Sequence, residues 1–248
     1  MKKIVLIAFV LFLGVGVSAQ TVGLRFGYNM SGLRIDDNFS DYLDMKGVEG
    51  KLTNGVNIGL VFERPIKPNK LDLHVELNFA QKGSAYDLYP NEVNHGTSGH
   101  GQTNLNYFEL PIMAKIKFGP AYVAIGPHIG YLLNAQEIKY RENANLVAVY
   151  GEAGAAQALG VSSLANDEYF DTDMDDFNRF DFGGQFSLGA QVPVGPVKIF
   201  AEARATVALT NWETWNTYGA DEETYNLDYK KNMAFTFAIG VLLNKPSK

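Results

Sequence analysis

Eight stretches of the chain alternate bulky apolar residues with small or polar ones at every second position. A period of two belongs to extended strands, whose successive side chains point to opposite faces, and not to helices. The first stretch sets Val22, Leu24, Phe26, Tyr28 and Met30 against Gly23, Arg25, Gly27, Asn29 and Ser31. The others run over residues 55–63, 71–79, 107–118, 122–134, 180–192, 197–210 and 233–243. In the fifth, Val123, Ile125, Ile129, Tyr131 and Leu133 oppose Tyr122, Gly126, His128, Gly130 and Asn134. Each stretch therefore reads as a strand with two unlike faces.

The connections alternate in length. Short turns rich in Gly and Pro lie at 65–70, 119–120 and 195–196, the local chemistry that reverses a chain tightly. Long connections follow the first strand, for about twenty residues, and occupy 87–106, 135–177 and 211–230. Short turns at one end and long loops at the other are the pattern of outer-membrane barrels, with turns in the periplasm and loops outside. An even number of strands then leaves both termini at the turn end. The fold class expected is all-β: an eight-stranded antiparallel up-and-down transmembrane β-barrel over residues 20–248.

Composition removes other classes. At 46% hydrophobic and 19% charged over 248 residues, the chain is too apolar for a disordered protein. It has no Cys, so a disulfide scaffold, a thiolate metal site and a lipid anchor on cysteine are all excluded. Residues 1–19 open with Lys2 and Lys3, continue through the apolar run Ile4 to Leu13 and close on Val17-Ser18-Ala19, the layout of a cleaved signal peptide. The mature chain is expected to begin at Gln20. Without Lys2 and Lys3, 19 of the 21 basic residues remain against 27 acidic ones, a net charge of −8. No nucleic-acid partner is expected of a chain this acidic.

A soluble barrel of lipocalin type would put the apolar face inside and the polar face in water, whereas a membrane barrel inverts this. Bulk and charge decide between them. The polar columns hold many Gly, Ala, Ser and Thr, which fit a narrow interior, together with charges of both signs that can pair there. The apolar columns are bulky, with Tyr28, Tyr131 and Phe180 near the loop end and Phe62 and Phe118 near the turn end, as in interfacial aromatic girdles. The apolar face is thus assigned to outer-membrane lipid. A polar lumen network is expected from Arg25, Asp72, His74, Glu76, Glu109, Lys115, His128, Asp181, Glu202 and Arg204. Eight strands enclose only enough room for side chains, so a diffusion pore is not expected.

The sequence resembles the PorT-like outer-membrane β-barrel proteins of Bacteroidetes. The resemblance rests on Val22-Gly23-Leu24-Arg25-Phe26-Gly27-Tyr28-Asn29, on Tyr107-Phe108-Glu109-Leu110-Pro111-Ile112, on Gly126-Pro127-His128-Ile129-Gly130-Tyr131-Leu132-Leu133 and on Glu202-Ala203-Arg204, in that order. It implies an outer-membrane barrel without catalytic residues or cofactor. One namesake takes part in protein secretion in that phylum, a role not carried over to this chain. The expected partners are outer-membrane lipid, the barrel-assembly machinery and an envelope or extracellular protein met by the loops.

Three features could carry chemistry. Asp171, Asp173 and Asp175 alternate in an acidic loop and offer oxygens to a hard cation. An EF-hand loop counted from Asp171 would need Gly and Glu where Asp176 and Phe182 stand, so a solvated acidic loop is the plainer account. His95 and His100 share a Gly-rich loop, without the further ligands a metal set requires. A His beside carboxylates in the lumen could serve acid–base catalysis, as in a small outer-membrane enzyme. No nucleophile stands out beside them, and the chain is read as a non-enzyme. Residues 152–164 have helix-favouring composition.

Overall fold

Eight long strands close on themselves in the computed structural model, which describes residues 21–34, 44–92, 96–142, 144–159, 168–171, 174–212 and 231–243. In chain order the elements are β1 (Thr21–Arg34), β2 (Val48–Lys51), β3 (Thr53–Lys67), β4 (Leu71–Leu88), β5 (Ser98–Phe118), β6 (Ala121–Glu142), α1 (Ala144–Leu159), β7 (Glu168–Asp171), β8 (Phe180–Val194), β9 (Val197–Asn211) and β10 (Lys231–Leu243). Round the ring, β1 is followed by β3, β4, β5, β6, β8, β9 and β10, and every pairing is antiparallel. The first and last strands complete it, in register from Gly23 opposite Leu242 to Arg34 opposite Lys231. Closure leaves no ring edge with unpaired N–H and C=O groups, which is what lets strands cross hydrocarbon. Residues 1–19, expected as a cleaved signal peptide, lie outside the described residues.

The period-two pattern sorts side chains as the alternation requires. On β1, Leu24 is 64% exposed while its neighbour Arg25 is 1% exposed. More than twenty large apolar side chains of the ring strands point outward in this way. Burying one such side chain is worth roughly 1.5–3 kcal/mol, so leaving all of them in water would forgo several times the roughly 5–15 kcal/mol by which proteins are stable. Against lipid that cost does not arise. Tight turns join the strands at one end, with Gly119 and Gly195 at φ 66° and 58°, values that favour a residue without a Cβ.

Three strands outrun the sequence expectation. A strand crossing a bilayer needs about 9–11 residues, whereas β4, β5 and β6 have 18, 21 and 22. Much of what was expected as the long connection 87–106, and the start of 135–177, is therefore strand. Above the bilayer both faces meet water, so alternation is no longer required while the hydrogen-bond ladder continues. The short strands β2 and β7 add to this projecting sheet, pairing with β4 and β6 at the loop end.

A bulge overturns one facing. The register of β5 against β6 shifts between Asn106 and Tyr107, which face Asn134 and Leu132, so beyond Leu132 the inward position is Ala135 and not Asn134. An extra residue in one strand reverses the parity beyond it. Asn134, placed on the inward face by alternation alone, is exposed, while Leu132 and Ala135 are buried. The helix also begins earlier than composition suggested: α1 starts at Ala144 and is broken at Gly151, where φ is 70° and ψ 172°. Residues 160–164 of the expected helix lie outside the described residues. No helix among the described residues is long and apolar enough to cross a membrane.

Candidate functional site in the barrel lumen

Inward-facing positions of β1, β3, β4, β5, β6, β8 and β9 bring charged side chains into the closed interior. All ten residues expected there are buried, none more than 6% exposed. Strand register sorts them into three groups.

The largest group centres on Arg204 of β9. Its guanidinium donates from Nη1 and Nη2 to the two carboxylate oxygens of Glu76 on β4, at 2.6 Å each. This two-pronged geometry suits the planar fork of arginine and would not be reproduced by lysine. Nη2 also donates to Glu202 at 2.6 Å and Nη1 to Gln185 at 3.0 Å. Arg25 on β1 donates from Nε to Glu202 at 3.1 Å and from Nη1 to Asn57, with Glu76 at 3.8 Å. The Tyr122 hydroxyl donates to the second oxygen of Glu202 at 3.0 Å. His74 bridges two carboxylates, Nδ1 to Glu63 at 3.0 Å and Nε2 to Glu76 at 2.6 Å. Two such bonds need two protons, so His74, Glu63 and Glu76 share two among them. Lys115 donates to Glu63 at 2.6 Å and Gln191 at 2.8 Å, with its ammonium 3.7 Å from the centre of the Tyr122 ring.

A second group, at the turn end, is the pair Lys117 and Asp72, with the ammonium donating to both carboxylate oxygens at 2.8 and 2.7 Å. The third lies toward the loops. There Lys82 of β4 sits between Glu109 and Asp181, ion-paired with both, the latter at 3.2 Å. His128 Nε2 is 3.8 Å from Asp181, beyond hydrogen-bond reach, and Thr210 donates to Asp181 at 3.3 Å.

Two apolar clusters flank these charges. Toward the turn end Val61, Phe200 and Leu242 pack together in the lumen. Toward the loops Leu105, Tyr107, Leu132, Ala135, Phe177 and Trp212 form a larger cap, with the Phe177 and Trp212 rings edge to face at 6.3 Å.

Sequence reasoning left Glu63 and Lys82 out of the network, although both occupy inward positions of their strands. Continuing the parity of Arg25 and Asn57 through Val61 would have found Glu63. Lys82 continues the inward column of Asp72, His74, Glu76 and Asn78 on β4. The apolar cap was not expected: Leu132 shares the inward parity of His128 and Gly130 but was not singled out, Ala135 follows the bulge, and Phe177 precedes β8.

Residues 18–212 match the family of the outer membrane protein beta-barrel domain. The chain belongs to that family. It is an outer-membrane β-barrel protein, and membership agrees with the closed ring and the apolar exterior. No curated protein matches the sequence. Among solved structures, neisserial surface protein A is similar at a TM-score of 0.42 and 10% identity, covering 92% of this chain and 100% of that one. Ail, the attachment invasion locus protein of Yersinia pestis, solved with the heparin analogue sucrose octasulfate, gives 0.33 and 11%, covering 91% and 99%. The protease OmpT of Escherichia coli gives 0.30 and 8%, covering 91% and 96%. The fold of this barrel is argued from its own register and family and not from these likenesses.

Of the candidate metal ligands of the acidic loop, only Asp175 has a described side chain. Asp171 ends β7, Asp175 is exposed in a single 3-10 turn, Met174–Asp176, and Asp173 lies outside the described residues. His100 stacks on Tyr140 at 5.3 Å, and His95 is outside the described residues. Three donor side chains do approach one another in the lumen: Glu109, His128 and Asp181 hold ligand atoms within 4.8 Å. The Lys82 ammonium already supplies the cation between its two carboxylates.

Proposed function

We propose that this outer-membrane barrel is a non-enzymatic, PorT-like interaction protein of a Bacteroidetes envelope, whose lumen is a structural plug and whose loop end is the working surface. On this reading residues 1–19 are a cleaved signal peptide, residues 20–248 form the barrel domain, and the barrel-assembly machinery inserts it. The turn end and both termini face the periplasm, and the loops meet an envelope or extracellular protein. The observation that carries the proposal is the filled lumen. Charged groups are paired across it and apolar clusters pack at both ends, leaving the ionic network with a structural task.

The same observation weighs against a small enzyme. An acid–base pair must reach its substrate, yet His128, Glu109 and Asp181 are each no more than 3% exposed, beside the cap that includes Phe177 and Trp212. It also weighs against a lipocalin-like binder, which would need apolar residues lining a ligand cavity. By contrast, the projecting sheet of β2, β4, β5, β6 and β7 builds a rigid platform on which long connections can be displayed.

Planar-bilayer recording of the refolded protein tests the plug, and absence of unit conductance steps is expected. Steady aqueous openings would overturn it. An epitope inserted at Gly151, where α1 is broken and exposed, should bind antibody on intact cells. Binding only after permeabilisation would contradict the orientation.

A further inference from the structure

We propose that the β3–β4 turn carries a binding site for the phosphate of an anionic phospholipid in the periplasmic leaflet, formed by Arg64, Lys67 and Lys70 between the apolar anchors Ile66 and Phe118. The site rests on the orientation proposed above, with the turn end toward the periplasm.

The outward column of β3 runs Val56, Ile58, Leu60, Phe62 and then Arg64, so a guanidinium follows the last lipid-facing apolar residue. At that level a long stem can lie along hydrocarbon while the charged head reaches the headgroups. Immediately beyond it the chain reverses through Lys67-Pro68-Asn69-Lys70. The Lys70 N–H donates to the Lys67 carbonyl at 3.0 Å, and Asn69 has φ 58°. Pro at the second position and a positive φ at the third make a type II turn, which brings the first and fourth Cα atoms within about 7 Å. Two exposed lysines thus stand side by side near Arg64.

The Lys117 N–H donates to the Lys70 carbonyl at 2.9 Å, tying the end of β5 to this turn and placing Phe118 next to it. Ile66 and Phe118 are 62% and 63% exposed, so apolar groups flank the cations where hydrocarbon meets headgroups. The nearby carboxylates are committed elsewhere: Glu63 is buried with His74 and Lys115, and Asp72 holds Lys117. Three like charges remain close together without an acid among the described residues paired to them, and a phosphate supplies the missing charge. Apolar flanks select a lipid phosphate over a soluble one. The leaflet follows from charge: at the opposite end of the barrel stand the acidic residues Glu168, Asp171, Asp175 and Asp176, which would repel anionic headgroups.

The test is spin-label measurement of phosphatidylglycerol against phosphatidylcholine around the reconstituted full-length barrel. Phosphatidylglycerol should be preferred at low salt, with each cation in contact contributing up to roughly fivefold. The preference should vanish in Arg64→Gln/Lys67→Gln/Lys70→Gln and in about 1 M salt, while Lys198→Gln retains it. A heat-shifted band on electrophoresis verifies that each variant is folded, and Lys70→Glu alone, at an exposed turn position, serves as a second variant and should lower the preference. Equal affinity for the two lipids in the unaltered protein, or a preference untouched by the triple change, overturns the site. Labelling of Pro196→Cys by an impermeant maleimide on intact cells would overturn the leaflet assignment. Neither result bears on whether the lumen is plugged, which conductance reads separately.

Discussion

A guanidinium in a closed lumen is stabilising only as long as its partners stay. Arg204 touches Glu76 through both terminal nitrogens and Glu202 through one of them, so its removal strands two buried carboxylates. Breaking a buried pair from one side costs about 3–5 kcal/mol, whereas replacing both sides by neutral groups of similar volume costs far less. Arg204→Met should therefore lose about that much in urea unfolding of vesicle-bound barrel, and Arg204→Met/Glu76→Gln should recover part of it. A single-variant loss below about 1 kcal/mol would contradict the network as described. The apolar cap makes a parallel case without charge. Trp212 is 4% exposed against Phe177, and Trp212→Ala should cost about 3–5 kcal/mol by the same assay, through lost burial and the cavity left behind.

Neighbouring strands fit through aromatic rings laid over glycines. Tyr122 faces Gly189 across β6 and β8, Phe200 faces Gly240 across β9 and β10, and Tyr86 faces Gly101 across β4 and β5. In each pair a Cβ added to the glycine would meet the ring itself. Gly240→Ala should thus push Phe200 from the turn-end cluster at a cost of about 1–3 kcal/mol, read from the unfolding midpoint. At the loop end, β2 is held to β4 by an ion pair between Lys51 and Asp87. The hydrogen bond from Lys51 holds the Asp87 carboxyl below its usual range, and the same bond raises the Lys51 ammonium. The carboxylate's contribution is complete above its ordinary pKa and is lost as pH falls through the lowered value. The ammonium's is complete below its ordinary pKa and is lost as pH rises through the raised one. Protection of the Val48–Lys51 amides, taken against the intrinsic exchange rate at each pH, should accordingly fall below about pH 4, and Asp87→Asn should abolish that fall. Protection unchanged by acid in the unaltered protein would show that the pair does not hold β2.

Which elements could be read from sequence follows from where water stops. Inside the bilayer every strand must be apolar on one side, so β1, β3, β8, β9 and β10 declare themselves through Leu24, Ile58, Phe186, Ile199 and Phe237 at alternate positions. Beyond it that demand lapses, and residues 98–106 of β5 and 135–142 of β6 carry no alternation by which to recognise them. The lumen charges were legible for the same reason as the strands, since an inward column has the opposite parity to the lipid column. Asn134 and Ala135, beyond the bulge, were not.

At the scale of the whole molecule, a sealed ring divides the protein's tasks by direction. The outward columns answer to lipid, the inward ones to one another, and what the protein presents to its surroundings lies at its two ends. The central claim is the facing of the columns, from which both the plug and the loop surface follow. The most direct measurement exploits the absence of cysteine: single Cys residues placed successively from Phe235 to Val241 on β10, each carrying a nitroxide in the vesicle-bound barrel. The account predicts collision with dissolved oxygen rising at 235, 237, 239 and 241 and falling at 236, 238 and 240, where the lumen excludes both oxygen and a water-soluble relaxant. The opposite phase, or access of the water-soluble relaxant to the inward positions along the strand, would contradict it.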